Sequence, residues 1–130
     1  MSLLVGQSAS ITKVFGRDEV SAFADLSEDR NPVHLDANFA AQTPFKQPIV
    51  HGMLLSSLLS ALLGQHLPGE GTIYLGQTLK FVRPVYVGDA VTATVTVSDI
   101  RDDKPVVTLT TEVFDKHGKP CVQGEAVVRV

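Results

Sequence analysis

The chain has 130 residues, 44% of them apolar and 19% charged, with a formal net charge of −3. That length suits one domain with a continuous core over residues 1–130, and the composition excludes a disordered segment. The acidic balance argues against a nucleic-acid partner, which needs a clustered basic surface, and the lone Cys121 excludes an intrachain disulfide framework.

The opening residues, MSLLVGQSAS, carry no basic stretch of the kind that begins a signal peptide. Ser8 to Val14 reads as a first strand. Arg17 to Ser27 places Val20, Phe23, Ala24 and Leu26 at helical spacing, with Asp18 and Glu19 suited to a helix N-terminus. Pro32 lacks a backbone donor and disfavours the helical region for Asn31, so this helix is expected to stop before Asn31. Asp36 can cap a short helix over Ala37 to Gln42. Gln42 to Val50, with Pro44 and Pro48, reads as a loop.

His51 to Gly64 is apolar or small on every face, the pattern of a helix buried all round. Ser56, Ser57 and Ser60 can return their hydroxyls to carbonyls one turn back, and Gly64 fits a C-terminal stop. The apolar run from Met53 to Leu63 is shorter than the ~20 residues that cross a bilayer. No membrane partner is expected, and with the single cysteine this points to a cytoplasmic protein.

From Thr72 the pattern changes to β. Thr72 to Val85 reads as one long strand bent at Gly76. Val91, Ala93, Val95 and Val97 alternate with threonines. A turn at Asp102 to Pro105 leads to a strand over Val106 to Phe114, and a turn at Lys116 to Lys119 leads to a last strand over Cys121 to Val130. Short turns between successive strands mean antiparallel pairing. An all-apolar helix with a curved antiparallel sheet is an α+β arrangement in which the sheet wraps the helix: a single hot-dog fold. Such a sheet leaves edges that need cover, and a homodimer joined edge to edge is the expectation.

The sharpest chemical signal is Ser27-Glu28-Asp29-Arg30-Asn31-Pro32-Val33-His34. Asp29 and His34 lie five positions apart across a helix-stopping Asn-Pro, so the chain can turn and bring carboxylate and imidazole together. Asn31 can tie that loop with its side-chain amide. Such a pair can orient a water and move its proton. His51-Gly52-Met53 opens the buried helix, where unpaired N–H groups and the helix dipole can hold developing negative charge; the Gly52 N–H is the candidate oxyanion donor. Each feature also has a structural reading. An Asp near a His is commonly a surface loop pair, Gly52 can serve close packing, and His51 reads as a helix-terminal residue satisfied by backbone. Lys80 and Arg83 are ordinary surface charges unless they lie by a phosphate. No CxxC or HExxH pattern occurs, so no metal site is expected.

The run from Phe23 to Leu35, with Ala40 following, resembles the hydratase-2 motif of MaoC-like, (R)-specific enoyl-CoA hydratases. Pro48 to Met53 resembles that family's turn into the central helix, and Leu79-Lys80-Phe81 through Arg83-Pro84-Val85 to Gly88-Asp89 its strand pair. The overall pattern is similar to short bacterial hydratases that supply polyhydroxyalkanoate synthesis. The resemblance implies a hot-dog homodimer that reversibly hydrates trans-2-enoyl-CoA to (R)-3-hydroxyacyl-CoA, with no cofactor beyond the CoA of the substrate. It implies Asp29 and His34 as the catalytic pair, Gly52 as oxyanion donor and Asn31 as the loop's support. Ser60, Leu63 and Val128 are the expected acyl-pocket residues, and Lys80 and Arg83 the expected CoA-phosphate contacts. The family commonly has glycine directly before the aspartate, where this chain has Glu28. Alternatives within the fold are an acyl-CoA thioesterase, a 3-hydroxyacyl dehydratase acting on acyl carrier protein, and a non-catalytic acyl-CoA-binding subunit.

Overall fold

The computed structural model describes residues 2–130. Its elements in chain order are β1 (Ser8–Val14), α1 (Arg17–Ser27), α2 (Pro32–Leu35), α3 (Ala37–Ala41), α4 (Gly52–Gln65), β2 (Ile73–Gln77), β3 (Lys80–Phe81), β4 (Ala90–Ile100), β5 (Val106–Phe114) and β6 (Pro120–Arg129). The strands form one sheet in the order β1-β4-β5-β6-β2, with β3 also paired to β6. Every pairing is antiparallel.

The alternation in β4 puts Val91, Ala93, Val95 and Val97 wholly inside. Its outward threonines are satisfied across the β1 pair: Thr94 shares a hydroxyl bond with Ser10 at 2.8 Å, and Thr92 with Thr12 at 3.0 Å. Register breaks at Val97/Asp99, Val113/Phe114 and Tyr74/Gly76 each add local twist, which helps a sheet of this length curl.

α4 lies in the resulting hollow and packs on β1, β4, β5 and β6. Leu54, Leu55, Leu58, Leu59, Leu62 and Leu63 are all buried there. Ser56 and Ser57 return their hydroxyls to the carbonyls of Gly52 and Leu54, at 2.8 and 2.6 Å, as the buried Ser56 requires. The helix is not buried on every face as expected, since Met53, Ser57 and Ser60 are exposed. Sheet around helix is the expected α+β hot-dog arrangement. Among the described residues no helix is long and apolar enough to cross a membrane.

Two further expectations need correction. The stretch from Thr72 to Val85 is not one strand. It breaks into β2 and β3 because the Thr78 carbonyl tucks over Gly124 of β6, where any side chain would collide with it. The Thr78 N–H bonds Glu125 O at 2.9 Å and its hydroxyl accepts the Glu125 N–H at 3.0 Å, so the crossing is well satisfied. Gly64 does not end α4, which continues to Gln65; the His66 N–H then closes the last turn on Leu62 O at 3.0 Å. The first helix does stop before Asn31, as expected, and Asn31-Pro32 also opens the next one. α1 has already ended at Ser27, and Pro32 occupies the first turn of α2, where its missing N–H costs nothing.

Candidate active site

The site begins with the way α1 ends. Glu28 adopts a left-handed conformation, φ 66°, which reverses the chain after Ser27. A residue without a side chain suits that conformation best, which accounts physically for glycine being the commoner choice before the aspartate. Side chains then take over from the helix ladder. Ser27 Oγ accepts the Asp29 N–H at 3.2 Å, Asp29 Oδ1 accepts the Asn31 N–H at 3.3 Å, and Asn31 Oδ1 accepts the Val33 N–H at 3.2 Å. Asn31 therefore supports the loop as the N-cap of α2, acting through its carbonyl oxygen.

α2 carries His34 back toward Asp29. His34 Nδ1 lies 2.7 Å from the Ile49 carbonyl. A carbonyl only accepts, so the proton sits on Nδ1 and Nε2 presents a lone pair. Burial holds the His34 pKa below the ordinary imidazole value. The Ile49 carbonyl opposes that shift, His51 reinforces it, and Asp29 opposes it least.

The backbone around the pair brings in a third group. Asp29, His34 and His51 each place a ligating atom within 4.8 Å of the others. His51, directly before α4, is 1% exposed. Its ring stacks on His34 with centroids 3.8 Å apart and meets the edge of Phe23 at 4.8 Å. Its Nε2 donates to the Asp29 carbonyl at 2.9 Å. The sequence reading of His51 as a backbone-satisfied helix terminus is right for that bond, but it missed the stack on His34. A polar ring at the entrance to an otherwise apolar helix was the available signal. The spacing of the three groups is within the range of a shared ion. Each ring would have to bind an ion within its own plane, and the stack, with 28° between the ring planes, sets the two rings poorly for sharing one.

Asp29 and His34 open onto a cavity of about 410 Å³ whose walls include Gly52, Phe81, Arg83 and Cys121. No side chain caps the N-terminus of α4, so the first N–H groups of the helix are free toward this space. A Cβ on Gly52 would stand 2.6 Å from the Phe81 ring. Gly52 thus gives room to the half-exposed Phe81 ring, an aromatic wall of the cavity that would have to shift to admit a side chain. Cys121 is no nucleophile: burial pushes its thiol up to about 11.

A second groove of about 530 Å³ runs between α4 and β2 and shares Met53 with the first. Ser60 lines it, together with Tyr74 and Leu79. Leu63 and Val128 do not. They are 2% and 0% exposed and belong to the core, because Leu63 is rotated from Ser60 onto the sheet side of α4 and Val128 faces inward on β6. Arg83 stands in the cavity wall, its Nη1 donating to the Pro120 carbonyl at 2.8 Å. Lys80 precedes Phe81 in β3, so its side chain leaves the opposite face, and it does not line the cavity.

Comparisons with known proteins agree with this geometry. Residues 4–117 match the family model described as the MaoC like domain. The chain is 62% identical over 129 residues to the (R)-specific enoyl-CoA hydratase of Aeromonas caviae, covering 99% of this chain and 96% of that one. It is 47% identical over 125 residues to the (R)-specific enoyl-CoA hydratase of Rhodospirillum rubrum, covering 96% and 86%. The solved structure of the Aeromonas caviae (R)-hydratase involved in PHA biosynthesis superposes with a TM-score of 0.98 over 99% of this chain and 98% of that one, at 62% identity. A family match over residues 4–117 and a likeness running the length of the chain lead to one conclusion: this chain belongs to the MaoC-like domain family.

Proposed function

We propose that this chain is an (R)-specific enoyl-CoA hydratase, one domain over residues 1–130, adding water reversibly to trans-2-enoyl-CoA. The observation that carries the reading is the free Nε2 of His34 beside the Asp29 carboxylate, under the uncapped N-terminus of α4. The (R) configuration and the CoA carrier rest on the likeness to hydratases so named.

Conjugate hydration needs a water oriented at C3, a proton delivered to C2, and stabilisation of the negative charge that moves onto the thioester oxygen. In this reading one water lies between Asp29 and His34. Nε2 takes a proton as the water oxygen bonds C3, while the carboxylate holds the second hydrogen. The proton on Nε2 then passes to C2, so His34 finishes in its starting state. The thioester oxygen meets the Gly52 N–H at the positive end of the helix dipole. The acyl chain follows the groove at Ser60, and Arg83 is placed for the phosphates of CoA. The route calls for no metal or prosthetic group, so dialysis against EDTA should leave the rate unchanged. A rate that falls and returns with an added divalent ion would overturn that part.

The deciding experiment mixes the protein with crotonyl-CoA and follows loss of the enoyl-thioester absorbance, then tests the product with an (R)-specific 3-hydroxyacyl-CoA dehydrogenase. Rapid loss with an (R) product is expected. Silence with crotonyl-, hexenoyl- and octenoyl-CoA would reject the reading. Thiol release from saturated acyl-CoA would then mark a thioesterase, turnover of carrier-protein substrates alone a dehydratase of that class, and tight binding without turnover a binding subunit.

A further inference from the structure

His51 is a buried polar group beside the site that the proposed hydration does not use. It is 1% exposed, yet it touches both halves of the acid–base pair. Nε2 reaches the Asp29 carbonyl at 2.9 Å, and the ring face lies 3.8 Å from that of His34. Its other nitrogen, Nδ1, is buried with no hydrogen-bond partner. A buried polar atom left without a partner costs on the order of 1–3 kcal/mol, and phenylalanine would fill much of the same space without that cost. The retained imidazole therefore needs a reason, and the single bond it makes supplies one. The Asp29 peptide belongs to an exposed turn whose other ties are local: the Ser27 and Asn31 bonds of 3.2 and 3.3 Å, the Arg30 N–H to the Glu28 carbonyl at 3.1 Å, and an exposed Arg30–Asp25 ion pair at 3.5 Å. The bond from His51 is shorter than any of these and ties that turn to the start of α4, on which Gly52 also stands.

We propose that His51 is a positioning residue for the acid–base pair: its Nε2–H, donated to the Asp29 carbonyl, sets the distance of the Asp29 carboxylate from His34 and from the Gly52 N–H. This rests on the hydratase reading of the same site. The bond requires the tautomer protonated on Nε2, opposite to that of His34, whose proton is held on Nδ1 by Ile49. The two stacked rings carry their protons on different nitrogens.

Two variants separate the bond from the ring. His51→Phe keeps a ring against His34 and Phe23 but removes the donor. His51→Gln loses the ring and keeps an amide N–H at a similar reach. Misplacement by about an ångström lowers turnover by up to ~10²-fold. His51→Phe should therefore lower kcat by about 10- to 100-fold with KM within about twofold, and His51→Gln should recover most of that loss. Unchanged kcat in His51→Phe overturns the proposal, as does a loss confined to KM. Full activity in His51→Phe with a loss in His51→Gln would assign the role to the ring and overturn it as well. Nitrogen-15 NMR of the wild-type histidine side chains tests the same point without turnover or mutation. An Nε2–H signal for His51 beside an Nδ1–H signal for His34 supports the proposal, and an Nδ1–H tautomer of His51 refutes it. That spectrum reads the bond even if crotonyl-CoA is not hydrated, so failure of the hydratase reading and failure of the positioning role can be told apart.

Discussion

At the scale of single residues, the site separates two groups by what they can give up. His34 has one nitrogen spent on Ile49 and one free; Asp29 is exposed and spends only one oxygen on its own turn. Asp29→Asn and His34→Ala should each lower kcat by ~10²–10⁴-fold, since groups of this kind contribute that much to proton transfer. Neither side chain belongs to the core, so circular dichroism and the urea midpoint should stay near wild type. A variant with near-normal turnover would remove its residue from the mechanism. The pH profile follows from the direction of the His34 shift. Burial favours the uncharged ring, and the uncharged ring is the form that accepts the water's proton. The acidic limb of kcat/KM should therefore fall below the ordinary imidazole value of 6.5. A limb above 6.5 would mean that charge on the ring is stabilised in the free protein, contrary to its burial.

At the scale of elements, short helices and their caps aim the chemistry. α2 is one turn long, too short to hold itself, and exists because Asn31 caps it and Pro32 presets its first residue. The turn before it carries a conformational cost, since Glu28 sits at φ 66°. Glu28→Gly should relieve that cost and raise stability by about 1 kcal/mol, read as a higher urea midpoint at constant slope. A lower midpoint would show that the Glu28 side chain contributes more than its backbone costs. The elements also show what local pattern can and cannot convey. β1, α1 and β5 have the expected bounds, because alternation and helical spacing record which residues face inward. The strand expected from Thr72 to Val85 fails for a non-local reason: its break is set by Gly124, distant in sequence, which admits the Thr78 carbonyl.

At the scale of the whole molecule, β1 and β2 close the sheet's order and each leaves one edge unpaired within the chain. The β2 edge is also apolar: Ile73, Tyr74 and Leu75 are exposed, and Phe81, Val82 and Met53 are exposed beside them. Exposed edges with apolar side chains invite pairing, and a second copy of the chain offers the matching strand. Light scattering after size exclusion should give twice the 13.9 kDa chain mass at micromolar concentration, and a clean monomer would exclude the homodimer.

The sequence alone determined the layers of this protein and the chemical character of its loop. Thr/Val alternation and an all-apolar helix leave few ways to close a core other than sheet around helix, and Asn-Pro between Asp29 and His34 bars the single continuous helix that would hold them on different faces. Only the tertiary structure decided which groups meet. His51 joins Asp29 and His34 because α4 enters the sheet beside the α1–α2 turn. Phe81 closes over Gly52 because β3 pairs with β6 in the register Phe81↔Val122. Leu63 and Val128 fall in the core instead of the groove because of the rotation of α4 and the inward face of β6. Periodicity encodes how deeply a residue is buried, but its neighbours are set by strand register and helix rotation, which depend on contacts between residues far apart in the chain.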